Sequence, residues 1–325
     1  MKTRKLAVGV FGIALLLSAC DGDDGRNGAT GPTGPAGPAG VAGPQGPAGP
    51  AGPTGGTGSA FAGRTIYGID ATNNLIAFGA LTPGTRISQV AITGLAAGET
   101  IVGIDFRPAN DSLYAVSSTS RLYTLNTATG VATAVNGGAL TVPLNGTSFG
   151  VGFNPVVDRL RIHTNTEQNL RVNQTTTPPG VTVDVPLAYE AVDPNFGADP
   201  SIVATAYTLS TRPAPTSTAL YGIDATLDIL VELDNPNGGT LETVGPLTFN
   251  TTDDVGFDIA GDTDVAYASL TASATPAGAS RLYTINLRNG LATIVGQIGH
   301  PTPLRSIAVN PGAPPVPLRI TRFSK

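Results

Sequence analysis

Short runs of β-branched, aromatic and other apolar residues, separated by Gly, Pro, Asn and Asp, fill the chain from about residue 64 onward. Four such runs follow one another early in this region: Val102–Arg107, Ser112–Ser117, Arg121–Asn126 and Val131–Val135. Runs of this length, bounded by turn residues, are typical of β-strands. No stretch shows a convincing 3.6-residue period over 11 residues, so the pattern predicts an all-β head with almost no helix.

Alternation within the first run predicts where its side chains point. Val102, Ile104 and Phe106 are expected on one face of the sheet, and Gly103 and Asp105 on the other. Small residues recur at the level of Gly103 in later repeats, where neighbouring sheets are expected to crowd. These residues are Gly103, Gly152, Gly256 and Ala308.

Whole phrases of the sequence recur along the head. The segment Ser120–Asn126 returns as Ser280–Asn286, and Tyr67–Thr72 returns unchanged as Tyr221–Thr226. A third series of strand-like segments begins at residues 102, 151, 203, 255 and 307, which are 49, 52, 52 and 52 residues apart. Units of about 50 residues with four short strands each are typical of β-propeller blades. The repeats therefore predict a propeller of about five blades.

The N-terminal unit lacks one strand of the four. Residues Arg64–Gly94 contain three strand-like runs, whereas Ser306–Pro311 forms an isolated run near the end of the chain. Pairing this late run with the first unit would close the ring and remove its open edges. A six-bladed ring and an open solenoid remain the alternatives.

The head resembles a family of secreted, β-propeller-like domains of unknown function. The resemblance is carried by the phrase GIDFRP at Gly103–Pro108 and the phrase LYTLNTATG at Leu122–Gly130, and it extends over roughly residues 64–311. It implies the fold, and it implies no particular activity.

The N-terminus has the pattern of a bacterial lipoprotein signal. Three basic side chains in the first five residues precede an apolar run, Leu6–Leu17, and then the sequence Leu-Ser-Ala-Cys ending at Cys20. The resemblance to lipobox sequences implies that residues 1–19 are removed and that Cys20 is diacylated, which would anchor the chain to a membrane of the bacterial envelope. An ordinary signal peptide with a chance cysteine is the alternative. Asp21 resembles an inner-membrane retention signal, but the leaflet and the side of the envelope stay open.

A strict three-residue repeat follows the cysteine. Glycine occupies every third position from Gly22 to Gly58, which makes 13 triplets, and proline follows glycine in seven of them. Collagen requires this period because only glycine fits at the axis of the triple helix. We therefore expect a collagen-like Gly-X-Y stalk over residues 20–60 and a homotrimer formed through it. A disordered linker is the alternative.

Composition excludes several kinds of function. The net charge of −5 provides no basic surface for nucleic acid. The only cysteine is Cys20, which excludes disulfides within the chain and thiolate chemistry in the head. The two histidines, His163 and His300, are expected to be solvated or locally hydrogen-bonded, and no catalytic residue is assigned.

One set of polar side chains could form a binding site. Four oxygen-bearing residues end the recurring inner strands, and if the repeats superpose these oxygens would encircle the axis, where they could hold Ca²⁺ or a polar ligand. The four are Asp105, Asn154, Asp258 and Asn310. The alternative is that each side chain caps the turn after its strand, and the same choice applies to Asp70 and Asp224.

Together these patterns predict a cell-envelope lipoprotein that displays a propeller-like binding head on a collagen-like stalk. The head is expected over residues 61–317 and a C-terminal tail over 318–325. Its partners would be the membrane, two further copies of the chain, and an extracellular or envelope ligand. A propeller-type enzyme, such as a metal-dependent lactonase, and a purely structural envelope protein are the alternatives.

Overall fold

A computed structural model describes residues 64–273 and 278–312. The predicted signal peptide, the stalk and the C-terminal tail lie outside these residues. The described part is built from β-strands and turns and contains no helix. No helix in it could therefore cross a membrane. The all-β prediction is confirmed.

Twenty-one strands make up the regular structure of the described residues. In chain order they are β1 (Thr65–Asp70), β2 (Asn74–Gly79), β3 (Thr82–Ala91), β4 (Ile101–Arg107), β5 (Ser112–Ser117), β6 (Arg121–Leu125), β7 (Ala132–Ala139), β8 (Phe149–Asn154), β9 (Arg159–Thr164), β10 (Asn169–Asn173), β11 (Gly180–Val183), β12 (Ala188–Tyr189), β13 (Ile202–Tyr207), β14 (Leu220–Asp224), β15 (Ile229–Glu232), β16 (Thr240–Pro246), β17 (Gly256–Ile259), β18 (Ala266–Leu270), β19 (Arg281–Ile285), β20 (Ala292–Gln297) and β21 (Leu304–Val309).

The strands form five antiparallel sheets, which are the blades of a propeller. Blade 1 has the order β21-β1-β2-β3, and blades 2, 3 and 5 are the meanders β4 to β7, β8 to β11 and β17 to β20. Blade 4 contains β13 to β16, with the two-residue strand β12 added in parallel to its outer edge. The predicted count of about five four-stranded blades is therefore confirmed.

The ring closes through a pairing between the two ends of the head. Strand β21 pairs antiparallel with β1, so that Ile66 lies opposite Val309 and Gly68 lies opposite Ile307. The innermost strands β21, β4, β8, β13 and β17 contact one another in a closed cycle. The late strand thus completes the first blade, as the missing fourth strand predicted.

Apolar clusters fill four of the five seams between adjacent blades. Separate clusters join blade 1 to blade 2, blade 2 to blade 3, blade 4 to blade 5, and blade 5 to blade 1. The fifth cluster consists of side chains from β13 to β16 of blade 4 together with Tyr189 of its edge strand β12 and with Leu187, which precedes β12. Burying such apolar surface is the main source of stability for the ring.

A β-bulge changes one detail of the expected alternation. The pairing of β4 with β5 shifts register between Ile101 and Gly103. As a result Val102 packs in the cluster toward blade 3, whereas Ile104 and Phe106 pack toward blade 1. The prediction that all three share one face was wrong for Val102, because a bulge inserts one extra residue into the strand.

The inner glycines allow neighbouring strands to approach closely. A Cβ atom on Gly256 would lie 2.5 Å from the backbone nitrogen of Ile307 and 2.7 Å from the carbonyl carbon of Ser306. A Cβ atom on Gly103 would collide with the side chain of Val151 in the next blade. The requirement for small residues at this level follows from the spacing between blades.

We predict that Gly256→Ala destabilises the head by about 1–3 kcal/mol, because the added methyl group has to displace backbone atoms of β21. Urea unfolding followed by circular dichroism measures the change. Gly278→Ala is the matched control, since a Cβ atom there meets no described atom within 4 Å. Equal stability of the two variants would contradict the close packing of β17 against β21.

Candidate functional site

Two of the four predicted ligand residues lie buried near the axis and link neighbouring blades. Asp105 of blade 2 accepts a hydrogen bond from the backbone N–H of Phe153 in blade 3, with an Oδ2–N distance of 2.6 Å. Asp258 of blade 5 accepts one from the N–H of Val309 in blade 1, also at 2.6 Å. The two carboxyls therefore perform the same structural task at equivalent positions of two repeats.

Burial makes these carboxyls hard to ionise. Loss of solvent raises the pKa of Asp258 to about 7, although the N–H groups of Val309 and Ile259 and the nearby Arg64 act in the opposite direction. Burial, followed by repulsion from Asp258, raises the pKa of Asp105 well above its usual range. Both carboxyls are therefore harder to ionise than an aspartate in water, and each raises the cost of ionising the other.

The two asparagines of the predicted set are used differently. The Asn154 side-chain oxygen accepts hydrogen bonds from the N–H groups of Val156 and Val157, and that of Asn310 accepts one from Gly312. Both oxygens therefore cap the turn that follows their strand. Within residues 64–273 and 278–312, no three His, Cys, Asp or Glu side chains cluster as metal ligands. A cation role for the four residues remains a prediction.

Asp70 and Asp224 also cap turns. One oxygen of Asp224 accepts hydrogen bonds from the backbone N–H groups of Thr226 and Leu227. In the same way, one oxygen of Asp70 accepts hydrogen bonds from the backbone N–H groups of Thr72 and Asn74. The second oxygens reach outside the turn: that of Asp224 accepts the Tyr189 hydroxyl at 2.7 Å, and that of Asp70 lies 2.9 Å from His300 Nε2. The buried His300 is therefore hydrogen-bonded to a residue 230 positions away in the sequence, which the expectation of a solvated or locally bonded ring did not include.

The face that blade 3 turns toward blade 4 is polar, whereas both sides of the other four seams contribute to apolar clusters. Along β9, Leu160 and Ile162 pack toward blade 2, while Arg161 and His163 alternate with them and point to the opposite side. Both polar side chains are buried, with 3% and 0% of their surface exposed. Buried polar groups are costly unless they are hydrogen-bonded, so this seam depends on its partners.

Arg161 is held by four hydrogen-bond partners. Its Nη1 donates to Asn169 and to Asp184 at 2.7 Å each, its Nη2 donates to Asn237 at 2.8 Å, and its Nε lies 3.4 Å from the Tyr207 hydroxyl. Tyr207 and Asn237 belong to blade 4. The guanidinium of blade 3 therefore crosses the seam and links the two blades.

His163 is buried beside this guanidinium as a neutral ring. Burial and the positive charge of Arg161 lower the pKa of His163 to about 3, and only the hydrogen bond with Asn169 acts in the other direction. The side-chain oxygen of Asn169 lies 3.1 Å from Nε2 of His163 and can only accept a hydrogen bond, so Nε2 carries the proton. The Nδ1 atom is buried without a protein partner among the described residues.

A cavity of about 390 Å³ opens beside this network. Its lining combines three arginines with amide, phenol and small apolar groups: Asn154, Val157, Arg159, Arg161, Arg171, Tyr207, Pro236 and Asn237. Small-molecule sites are commonly of this size, with a few polar groups held in place by a rigid frame. The cleft between blades 3 and 4, defined by these residues, is the best candidate site of the head.

Comparison with known proteins identifies the domain. Residues 74–308 match the family described as a domain of unknown function, DUF4394. The chain belongs to this family. The earlier likeness to a propeller-like family of unknown function agrees with this match, and no curated protein matches the chain.

Solved structures with a similar backbone are distant. A protein of unknown function from Bacteroides thetaiotaomicron VPI-5482 is 16% identical with a TM-score of 0.43. The match covers 74% of this chain and 60% of that protein. The dihydro-heme d1 dehydrogenase in complex with DHE is 13% identical with a TM-score of 0.36. The match covers 71% of this chain and 43% of the dehydrogenase. A chain of the nidogen/laminin complex is 12% identical with a TM-score of 0.40. The match covers 76% of this chain and 98% of that one. This chain thus spans less than two thirds of the first two.

Sequence reasoning missed the polar cleft of the DUF4394 domain, although a signal was present. When the second strands of blades 2 and 3 are aligned, Tyr114 corresponds to Arg161 and Val116 to His163. Both residues of blade 2 pack in the apolar cluster toward blade 3. Polar residues at positions that are apolar in a sister repeat therefore indicate the exceptional seam.

We predict that Asp258→Asn removes a pH-dependent loss of stability. Because the folded-state pKa is raised above the ordinary 3.8 to about 7, the contribution of Asp258 is fully present below pH 4 and is lost as the pH rises through 7. Asparagine can still accept the Val309 N–H but does not ionise. The stability of the variant relative to the wild type should therefore increase between pH 5 and pH 8 in urea unfolding. A difference independent of pH would show that Asp258 is already ionised at pH 5.

Proposed function

We propose that this protein is a lipid-anchored cell-envelope protein whose propeller head binds a ligand in the cleft between blades 3 and 4. The observation that carries the binding role is the exceptional seam: four seams are filled by apolar clusters, and the fifth holds buried polar side chains beside an open cavity. Departures from the local rule of a fold are expected at functional sites.

The geometry around the cleft favours binding by a preorganised site. The side chains that form it are fixed by hydrogen bonds that cross from blade 3 to blade 4, as between Arg161 and Asn237. In addition, the side-chain Nδ2 of Asn169 donates hydrogen bonds to the backbone oxygens of Val185 and Pro236 at 3.0 and 2.8 Å. A frame that is ordered before the ligand arrives lowers the entropic cost of binding.

The sequence supports the display of the head away from a membrane. The segment ending at Cys20 provides the anchor, and the 13 glycine triplets provide the spacer. As a triple helix at about 3 Å per residue, residues 22–60 would span on the order of 110 Å. Three heads on one stalk would raise the avidity for a repetitive ligand without any new contact.

The anchor predicts a simple labelling result. In a bacterial host fed with alkyne-tagged palmitate, the full chain should carry the label and sediment with the membranes, because acyl chains partition into lipid. The Cys20→Ala variant should lose the label. Labelling of that variant, or recovery of the unlabelled wild type in the soluble fraction, would contradict the anchor.

The binding role predicts that filling the cleft abolishes capture of a ligand. The acyl-free chain from Asp21 onward is applied to a glycan microarray that carries both neutral and acidic glycans. Val157→Trp should eliminate the signal, because Val157 lines the cavity and is 55% exposed, so that an indole can occupy the cleft.

The neighbouring variant Val156→Trp is the matched control, since Val156 is also exposed but does not line the cavity. It should bind as the wild type does. Equal binding by both tryptophan variants would place the ligand elsewhere on the head, and no glycan signal from the wild type would argue against a glycan-binding role.

A further inference from the structure

The cleft between blades 3 and 4 carries a local positive charge on an acidic protein. Arg159, Arg161 and Arg171 all line the cavity, and Asp184 is the carboxylate paired with two of them. The whole chain has a net charge of −5, so this excess of guanidinium groups opposes the overall balance. Clefts with one sign of charge concentrate ligands of the opposite sign.

The three arginines have different roles. Arg161 is 3% exposed, and its guanidinium nitrogens are engaged with Tyr207, Asn169, Asp184 and Asn237. It therefore acts as a positioning residue that fixes the wall of the cleft. Removing it would break the buried ion pair with Asp184 and the hydrogen bonds that tie blade 3 to Asn237 and Tyr207, which is strongly destabilising.

Arg171 presents an unused edge to the cavity. Its Nε and Nη2 atoms donate to the two oxygens of Asp184 at 2.6 and 2.9 Å, and the two N–H groups of Nη1 have no partner among the described residues. This bidentate pair holds the guanidinium plane in one orientation. Burial works against ionisation of Asp184, but the hydrogen bonds from Arg171 and Arg161 outweigh it and keep its pKa below the ordinary value.

Arg159 has no carboxylate partner among the described residues. Its Nη1 atom donates to the backbone carbonyls of Asp158 and Val157 at 2.8 and 3.4 Å, and Nε and Nη2 remain available. The neighbouring Asp158 is instead paired with Arg107. Arg159 is thus a half-buried cation on the cavity wall whose charge the protein does not neutralise.

From these positions we infer that the cleft binds an oxyanion, a carboxylate or a phosphate, carried on a sugar-sized molecule. The free edges of Arg159 and Arg171 supply charge-assisted N–H donors, which are geometrically suited to planar carboxylates and to phosphates. The side-chain amides of Asn154 in blade 3 and of Asn237 in blade 4 also line the cavity and would contact neutral hydroxyls of the ligand. A volume of about 390 Å³ accommodates a molecule of this size.

The inference rests on the proposed function and narrows it to one class of ligand. It is tested by isothermal titration of the acyl-free chain from Asp21 onward with sodium galacturonate, with inorganic phosphate and with neutral galactose, all in 50 mM NaCl. We expect saturable binding of galacturonate or phosphate, no binding of galactose, and weaker anion binding in 300 mM NaCl.

Arg159→Gln should weaken anion binding about tenfold or more, which is the loss expected for a hydrogen bond to a charged group. It should leave the melting temperature nearly unchanged, because Arg159 contacts only backbone carbonyls of its own turn. Arg171→Gln is the second variant, in which Asp184 retains Arg161 as its partner. Arg281→Gln in blade 5 removes the same charge from an exposed strand position and should bind like the wild type.

The titrations separate the sources of the oxyanion. Competition between phosphate and galacturonate supports a general oxyanion site, whereas binding of galacturonate alone supports a carboxylate-bearing sugar. Absence of saturable anion binding, or equal affinities in Arg159→Gln and the wild type, overturns the inference. If a neutral glycan binds on the microarray and Val157→Trp abolishes it, the proposed binding role stands while the anionic ligand is rejected.

Discussion

The closed ring of the head depends on the pairing of β21 with β1. An open row of four complete sheets and one incomplete sheet would expose an unpaired edge at each end, and exposed edges invite aggregation. The pairing leaves no free end in the cycle of innermost strands. It also brings blade 5 against blade 1, where an apolar cluster is then buried. It also brings Asp258 to the N–H of Val309. The hydrogen bond of Asp258 to Val309 and the seam between blades 5 and 1 exist only because the ring is complete.

The repeats allowed much of this fold to be predicted from the sequence. The 52-residue spacing, the three strands before residue 94 and the isolated strand near residue 307 together defined five blades and their closure. Strand bounds were also close, because turn residues mark them. The bulge after Ile101 was missed, since it depends on how β4 pairs with β5 and has no local sequence signature.

The candidate site was less predictable than the fold. His163 was expected to be solvated or locally hydrogen-bonded, because polar residues that alternate with apolar ones along a strand ordinarily face water. In a propeller both faces of a middle blade are covered by neighbours, so the polar face lies against another sheet. The turn-capping alternative for Asn154 and Asn310 was the one observed, since a short side chain at a strand end reaches the next backbone N–H groups first. Whether such a residue points to the axis or to its own turn is decided by local geometry.

The connectivity of blade 1 also has a consequence for the order of assembly. Strands β1 and β21 are separated by more than 230 residues of chain, and β21 is the last described strand to be synthesised. Contacts between such distant segments form slowly because the intervening chain must first be ordered. Blades 2 to 5 can each form from a continuous stretch of sequence, whereas blade 1 stays incomplete until translation has passed residue 309. A ribosome that stalls before this point therefore leaves a nascent head in which the inner edge of β1 has no partner strand. The last few codons of the repeat region consequently have a disproportionate effect on the yield of soluble protein.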